Sequence, residues 1–279
     1  MRFKALGDLA RPAPREIVLT SLPEQVLITD YARAKAFLVS ELVRRVHNAA
    51  YEWYGFTLAE RGRPEVIVDV GLPDNAENQE NYTHISPELI AAYQETLPAG
   101  RIINGWLHSH GALEYRNFSP VDEVNQATVL DYVTSLVMVP VAQKEVVIRD
   151  LALRVMGEEG AGEPPLGEGT AGTGGPRQNP ASVTLFTDVP VGRAKLLETV
   201  YGGFCFAIVI GDEGWTKQEI HYKTRGILTG ETNVSHREAD LTLVRTGKIL
   251  TPSDQEALEL EVKERLRPVT YTLEKLERG

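Results

Sequence analysis

The sequence predicts an α/β (α+β) fold, because strand-like apolar runs alternate along it with capped, amphipathic helices. Two observations carry this. The run EQVLITD (24–30) leads straight into a segment whose apolar residues recur at helical spacing. Farther on, Ser86-Pro87 and Ser119-Pro120 each mark a helix start beside a strand-like run.

In chain order, residues 1–23 are a proline-containing leader and 24–30 a strand, with Asp30 as the expected N-cap of the first helix. In that helix Ala32, Ala36, Val39, Leu42, Val43, Val46, Ala49 and Ala50 line one face, and Arg33, Lys35, Glu41, Arg44 and Arg45 occupy the others. YEWYGFTLAE (51–60) and PEVIVDVGL (64–72) read as strands separated by a turn. A polar stretch leads to a helix carrying Leu89, Ile90, Tyr93 and Leu97, ended by Pro-Ala-Gly. RIINGWLHSH (101–110) reads as a strand, GALEYRNF as a loop and 119–132 as a helix. TSLVMVP (134–140) and KEVVIRDLALRV (144–155) look like two paired strands.

Residues 157–181 hold eight of the 24 glycines and four prolines, with Leu166 the only large aliphatic, so they read as a flexible insertion. A phosphate loop is disfavoured there, since neither strand nor helix flanks the G-x-G pairs. SVTLF (182–186), a short helix around GRAKLLETV (192–200) and a hairpin over 203–224 follow. TPSDQEALELEVKERL (251–266) is a capped C-terminal helix stopped by Pro268.

A chain of 279 residues with 42% hydrophobic and 24% charged residues is long enough to bury a core. The net charge of −10 and the absence of a basic stripe argue against a nucleic-acid partner. No apolar run is long enough for a membrane span, and the N-terminus lacks the apolar stretch of a secretory signal. A single cysteine, Cys205, forbids an internal disulfide. These features together predict a cytoplasmic protein.

Five residues stand out chemically. His108 and His110 are two apart on an expected strand, so their imidazoles project from one face and suit a shared metal ion. A metal-free pair of histidines is the plainer reading. Ser119 and Asp122 form a capping box on their own account. Because that helix begins eight residues after His110, Asp122 is also placed to turn toward the histidines as a third ligand. Glu52 reads either as a solvent-facing acid or as a general base beside the metal. His47, His84, His221 and His236 lack ligand spacing and read as packing or surface residues. Cys205, in GFCFAIV, reads as an inert buried thiol, and Trp106 as core filler that also suits a place beneath the site.

Together these segments resemble the JAMM (MPN, or Mov34/PAD-1) metalloprotease family. YEWYGFTLA is similar to its Glu-x-x-Gly strand through Glu52 and Gly55. NGWLHSH resembles its Gly-Trp-x-His-Ser-His strand at Gly105, Trp106, His108, Ser109 and His110, and FSPVDEVN its Ser-x-x-Asp helix start at Ser119 and Asp122. The likeness covers roughly 24–155. It departs in a spacer one residue longer between His110 and Ser119, and in Gly111 where a proline is common.

The resemblance implies a cytidine-deaminase-like mixed β-sheet flanked by helices. The catalytic domain would span 24–250, with its insertion near 156–182 and a C-terminal helical extension at 251–279. After the active-site helix, either 134–155 or 203–224 supplies the next strands. It implies Zn2+ held by His108, His110 and Asp122, Glu52 as proton carrier and Ser119 as hydrogen-bond donor to the oxyanion.

The implied activity is a deubiquitinase-like isopeptidase, cutting after the C-terminal glycine of a ubiquitin-like or sulfur-carrier protein. Such a tail would bind as an added strand, with 73–85 either a flap that pairs with it or an ordinary polar loop. The rival readings are a metal-dependent amidase on a small molecule and a non-catalytic scaffold.

Overall fold

The structure, a computed structural model, describes residues 17–48, 51–74, 85–111, 115–149 and 193–267. Two compact units are present, one formed by Met1–Ala142 with Thr199–Gly279 and the other by Gln143–Glu198. In chain order the elements are β1 (Val26–Thr29), α1 (Asp30–His47), β2 (Trp53–Glu60), β3 (Val66–Ile67), β4 (Asp69–Gly71), α2 (Pro87–Thr96), β5 (Arg101–Ser109) and α3 (Pro120–Leu136). They continue with β6 (Val139–Arg149), β7 (Arg193–Ile210), β8 (Thr216–Gly226), β9 (Thr232–Glu238), β10 (Leu241–Val244) and α4 (Pro252–Arg265). The architecture is a mixed sheet flanked by helices, as the alternation of patterns predicts.

The main sheet runs β4-β2-β5-β7-β8-β9, with β6 pairing β7. A smaller parallel sheet has the order β10-β1-β3. One face of the main sheet contributes Trp53, Leu107, Phe206, Ile208, Ile210 and Ile220 to a core shared with α1 and α4. The other face contributes Tyr54, Phe56, Trp106, Cys205 and Ala207 to a core shared with α2 and α3. Alternation along the strands sends neighbouring residues to opposite layers. Leu258, Val262 and Leu266 place the C-terminal helix within the first of these cores, so α4 is part of the main unit's packing.

The smaller unit contributes the far ends of β6 and β7, where Lys195 pairs with Glu145 at 2.7 Å and Lys144 with Glu198 at 3.6 Å.

Several expectations change. The N-cap of α1 is Thr29, whose hydroxyl accepts from the Ala32 amide at 3.1 Å, and Asp30 instead accepts from Thr246. PEVIVDVGL is not one strand. It breaks at Val68, whose amide donates to Leu58, so that β3 joins the small sheet while β4 pairs β2.

The expected strand over 134–140 is largely helix and turn. α3 runs on to Leu136 because Val129, Leu130, Val133 and Thr134 continue its buried face. One strand, β6, then replaces the expected pair. The expected helix around GRAKLLETV is the start of β7. β9 escapes the pattern of apolar alternation because all seven of its residues are exposed. The leader up to residue 16, the 157–181 stretch, SVTLF, His84 and most of the proposed flap lie outside the described residues.

The strand parallel to β5 is β7, so the 203–224 hairpin, and not 134–155, supplies the neighbour of the histidine strand. Gly105 is essential to that pairing. A Cβ at Gly105 would lie 2.2 Å from the Phe206 carbonyl oxygen and 2.7 Å from its nitrogen. Gly105→Ala therefore pushes β5 and β7 apart. We expect a loss of about 1–3 kcal/mol or more, read from urea midpoints.

Candidate metal centre

β5 carries a bulge. Its register with β2 shifts between Thr57 and Leu58, which pair with Gly105 and Ile103, leaving Asn104 as the extra residue. Beyond the bulge, Trp106, His108 and His110 alternate onto the α3 side. Trp106 is fully buried and lies flat against His108, with ring centroids 4.4 Å apart and planes 14° apart. The Trp106 indole N–H donates to Gln126 Oε1, and the Gln126 amide donates to Cys205 Sγ. Trp106 is thus both core filler and the floor of the site.

The ligand atoms of His108, His110 and Asp122 lie within 4.8 Å of one another, and all three residues are buried. His108 Nε2 is 3.1 Å from His110 Nε2 and 3.3 Å from Asp122 Oδ1, and His110 Nε2 is 3.8 Å from Asp122 Oδ2. His110 Nδ1 is 2.7 Å from the Tyr115 carbonyl. It can only donate there, so the lone pair sits on Nε2, facing the cluster. Nδ1 of His108 is buried and has no hydrogen-bond partner among the described residues.

Asp122 does two jobs at once. Its Oδ2 accepts from the Ser119 amide at 2.6 Å and the Ser119 hydroxyl at 2.7 Å, which completes a capping box at the start of α3. That leaves Oδ1 turned toward His108. The cap and the ligand reading are therefore not rivals, because the cap orients the carboxylate.

Glu52 sits just ahead of β2, where Trp53 pairs with Ser109 and Tyr54 with His108. One step back along that register puts Glu52 across from His110. Its neighbours anchor it. Trp53 donates to Ser40 Oγ and Tyr51 to the Leu266 carbonyl, both in the α1/α4 layer. Alternation then turns Glu52 to the histidine side. It is not among the residues at ligand distance.

The electrostatics fit a cation site. Burial pushes Asp122 upward, but hydrogen bonds from His108 and His110 outweigh it and hold the carboxyl well below the usual range. Burial depresses His108, with Asp122 opposing. For His110 burial also pulls downward, yet Asp122, the Tyr115 carbonyl and Glu52 together raise it. Burial, above all, raises Glu52 over its ordinary 4.5, with His110 lowering it and Asp122 raising it. Two imidazole nitrogens and a carboxylate oxygen, buried and converging, form a donor set that suits a divalent ion such as zinc.

No protein-family model matches this chain, and no curated protein matches it.

All five residues singled out from the sequence lie at this end of the sheet. Sequence reasoning missed the supports. Gln126, one helical turn after Asp122, was available from i,i+4 spacing. Tyr115 stacks on His110 with centroids 5.7 Å apart, and Trp215 meets the same ring edge-on at 6.4 Å; no local pattern marks either residue. Among the described residues no helix is long and apolar enough to cross a membrane.

Cys205 is fully buried, and burial pushes its thiol far upward. It should resist thiol reagents in the native protein and react within minutes in denaturant, as thiol titration would read.

Proposed function

We propose that this chain is a zinc-dependent hydrolase of the JAMM (MPN) type, cleaving after the C-terminal glycine of a ubiquitin-like or sulfur-carrier protein. One observation carries the reading: imidazoles at the end of β5 and a carboxylate from α3 converge beside a half-buried acid that is not at ligand distance. A structural cap requires no such convergence.

His108, His110 and Asp122 would hold the ion, which when bound supplies Lewis acidity and a water of lowered pKa. Glu52, raised by burial, accepts a proton from the attacking water and delivers it to the departing amine. Ser119 donates its hydroxyl to Asp122 and so orients that ligand; this is the role its geometry supports, in place of the oxyanion contact that the resemblance implies. Trp106 and Tyr115 fix the two imidazole planes.

The test is a panel of ubiquitin-like and sulfur-carrier proteins, each extended past its terminal Gly-Gly by a reporter amide. Zinc-dependent release of the reporter, abolished by chelation and restored by Zn2+, is the expected result. A zinc-loaded protein that cleaves no member of the panel but hydrolyses small amides would move the assignment to the amidase reading.

A further inference from the structure

The β8–β9 hairpin holds a second group of metal-ligating side chains outside the centre described above. β8 and β9 pair so that His221 stands opposite His236 and Glu219 opposite Glu238. Directly opposed residues share a face, and Glu219 lies two residues from His221 on the same strand, so the three side chains crowd together. His221 pairs with Cys205 on β7, and Cys205 belongs to the α3 layer. The group therefore faces α3.

A cavity of about 330 Å³ lies between these strands and the helix, lined by Glu219, His221 and His236 on one wall and Asp122, Glu123 and Gln126 on the other. His221 Nε2 is 3.1 Å from Glu219 Oε2, and the two imidazoles stack with centroids 5.0 Å apart and planes 20° apart.

We propose that Glu219, His221 and His236 bind a second divalent transition-metal ion in this cavity. Two imidazoles and a carboxylate with room for solvent are the donor set that zinc-like ions take. The burial of His221, then its neighbour His236, push its imidazole down to about 4, against the pull of Glu123. In a neutral His221 ring Nε2 donates to Glu219 Oε2, so an ion enters between them by displacing that proton. The Glu123 carboxylate on the facing wall adds negative charge to the cavity. Among the described residues only His108, His110 and Asp122 have ligand atoms already within 4.8 Å of one another. At the second group the exposed His236 ring must turn about its side-chain torsions to bring a nitrogen toward His221, a movement that its exposed position allows. Sequence spacing conceals the group because His236 lies fifteen residues beyond His221 and meets it only across the hairpin. The inference does not depend on the hydrolase reading.

The test uses the untagged full chain, stripped with chelator, reloaded with Zn2+ alone, passed through gel filtration and assayed for metal per chain. Wild type should retain two equivalents, and His236→Ala and Glu219→Gln one each. His110→Ala/Asp122→Asn should retain one, which is lost when His236→Ala is added. A wild type holding a single equivalent that His236→Ala abolishes would support the second site while removing the first. Two equivalents undiminished in both His236→Ala and Glu219→Gln, or a single one that persists in them, would overturn the proposal. Because His236 is exposed, its replacement leaves the core intact, and circular dichroism of each variant checks that.

Discussion

Glu52→Gln should keep zinc at wild-type stoichiometry and lower kcat by about 10²–10⁴-fold. The amide matches the carboxylate in shape, and Tyr51 and Trp53 on either side stay anchored to Leu266 and Ser40. The substitution therefore removes basicity without moving the backbone. Because Glu52 is not at ligand distance, the metal should not notice. The pH profile follows from the same burial. A base works only when deprotonated, and Glu52 is raised above 4.5, so kcat/KM should climb with pH through an apparent pKa above that value. A variant with full activity and bound zinc would remove Glu52 from the mechanism and leave the metal assignment standing.

The second large effect separates the two roles of Asp122. Asp122→Asn retains an oxygen that can accept from the Ser119 amide, so the capping box survives and the loss of stability should be smaller than that of Asp122→Ala. It removes the negative charge facing His108, and zinc affinity should fall about 100-fold or more. Asp122→Ala removes that reciprocal half of the capping box as well, while the Ser119 hydroxyl still accepts from the backbone amide of residue 122. It also takes away the carboxylate 3.3 Å from the buried His108 Nε2, and should cost about 1–3 kcal/mol in addition to the metal. Denaturant midpoints read with competitive zinc titration distinguish the two variants. Equal destabilisation by Asn and Ala would mean that the carboxylate's charge, and not its capping geometry, supports the helix.

Much of this site was legible because its parts are local. The two-residue period of a strand aligns His108 with His110, and Ser119-Pro120 announces a helix start whose third residue is Asp122. What sequence could not supply is the bulge at Asn104, which decides the face on which the histidines emerge. Nor could it supply Tyr115 and Trp215, which reach His110 only through tertiary folding. The fold was legible where apolar periodicity was strong, as in α1, β5 and the β7–β8 hairpin. It failed where periodicity was absent or misleading. β9 buries nothing, Arg193–Val200 mixes helix-forming residues into a long strand, and PEVIVDVGL serves two sheets from one apolar run. The histidines of the hairpin looked ordinary for the same reason, since their partner lies across a turn.

The central claim is that one ion is shared by His108, His110 and Asp122. Its most direct test is an anomalous difference map at the zinc edge from crystals grown with Zn2+. The account predicts a peak between the two imidazole Nε2 atoms and the Asp122 carboxylate, at about 2.0–2.2 Å from each. Zinc bound elsewhere in the chain, with the three side chains unligated, would contradict it.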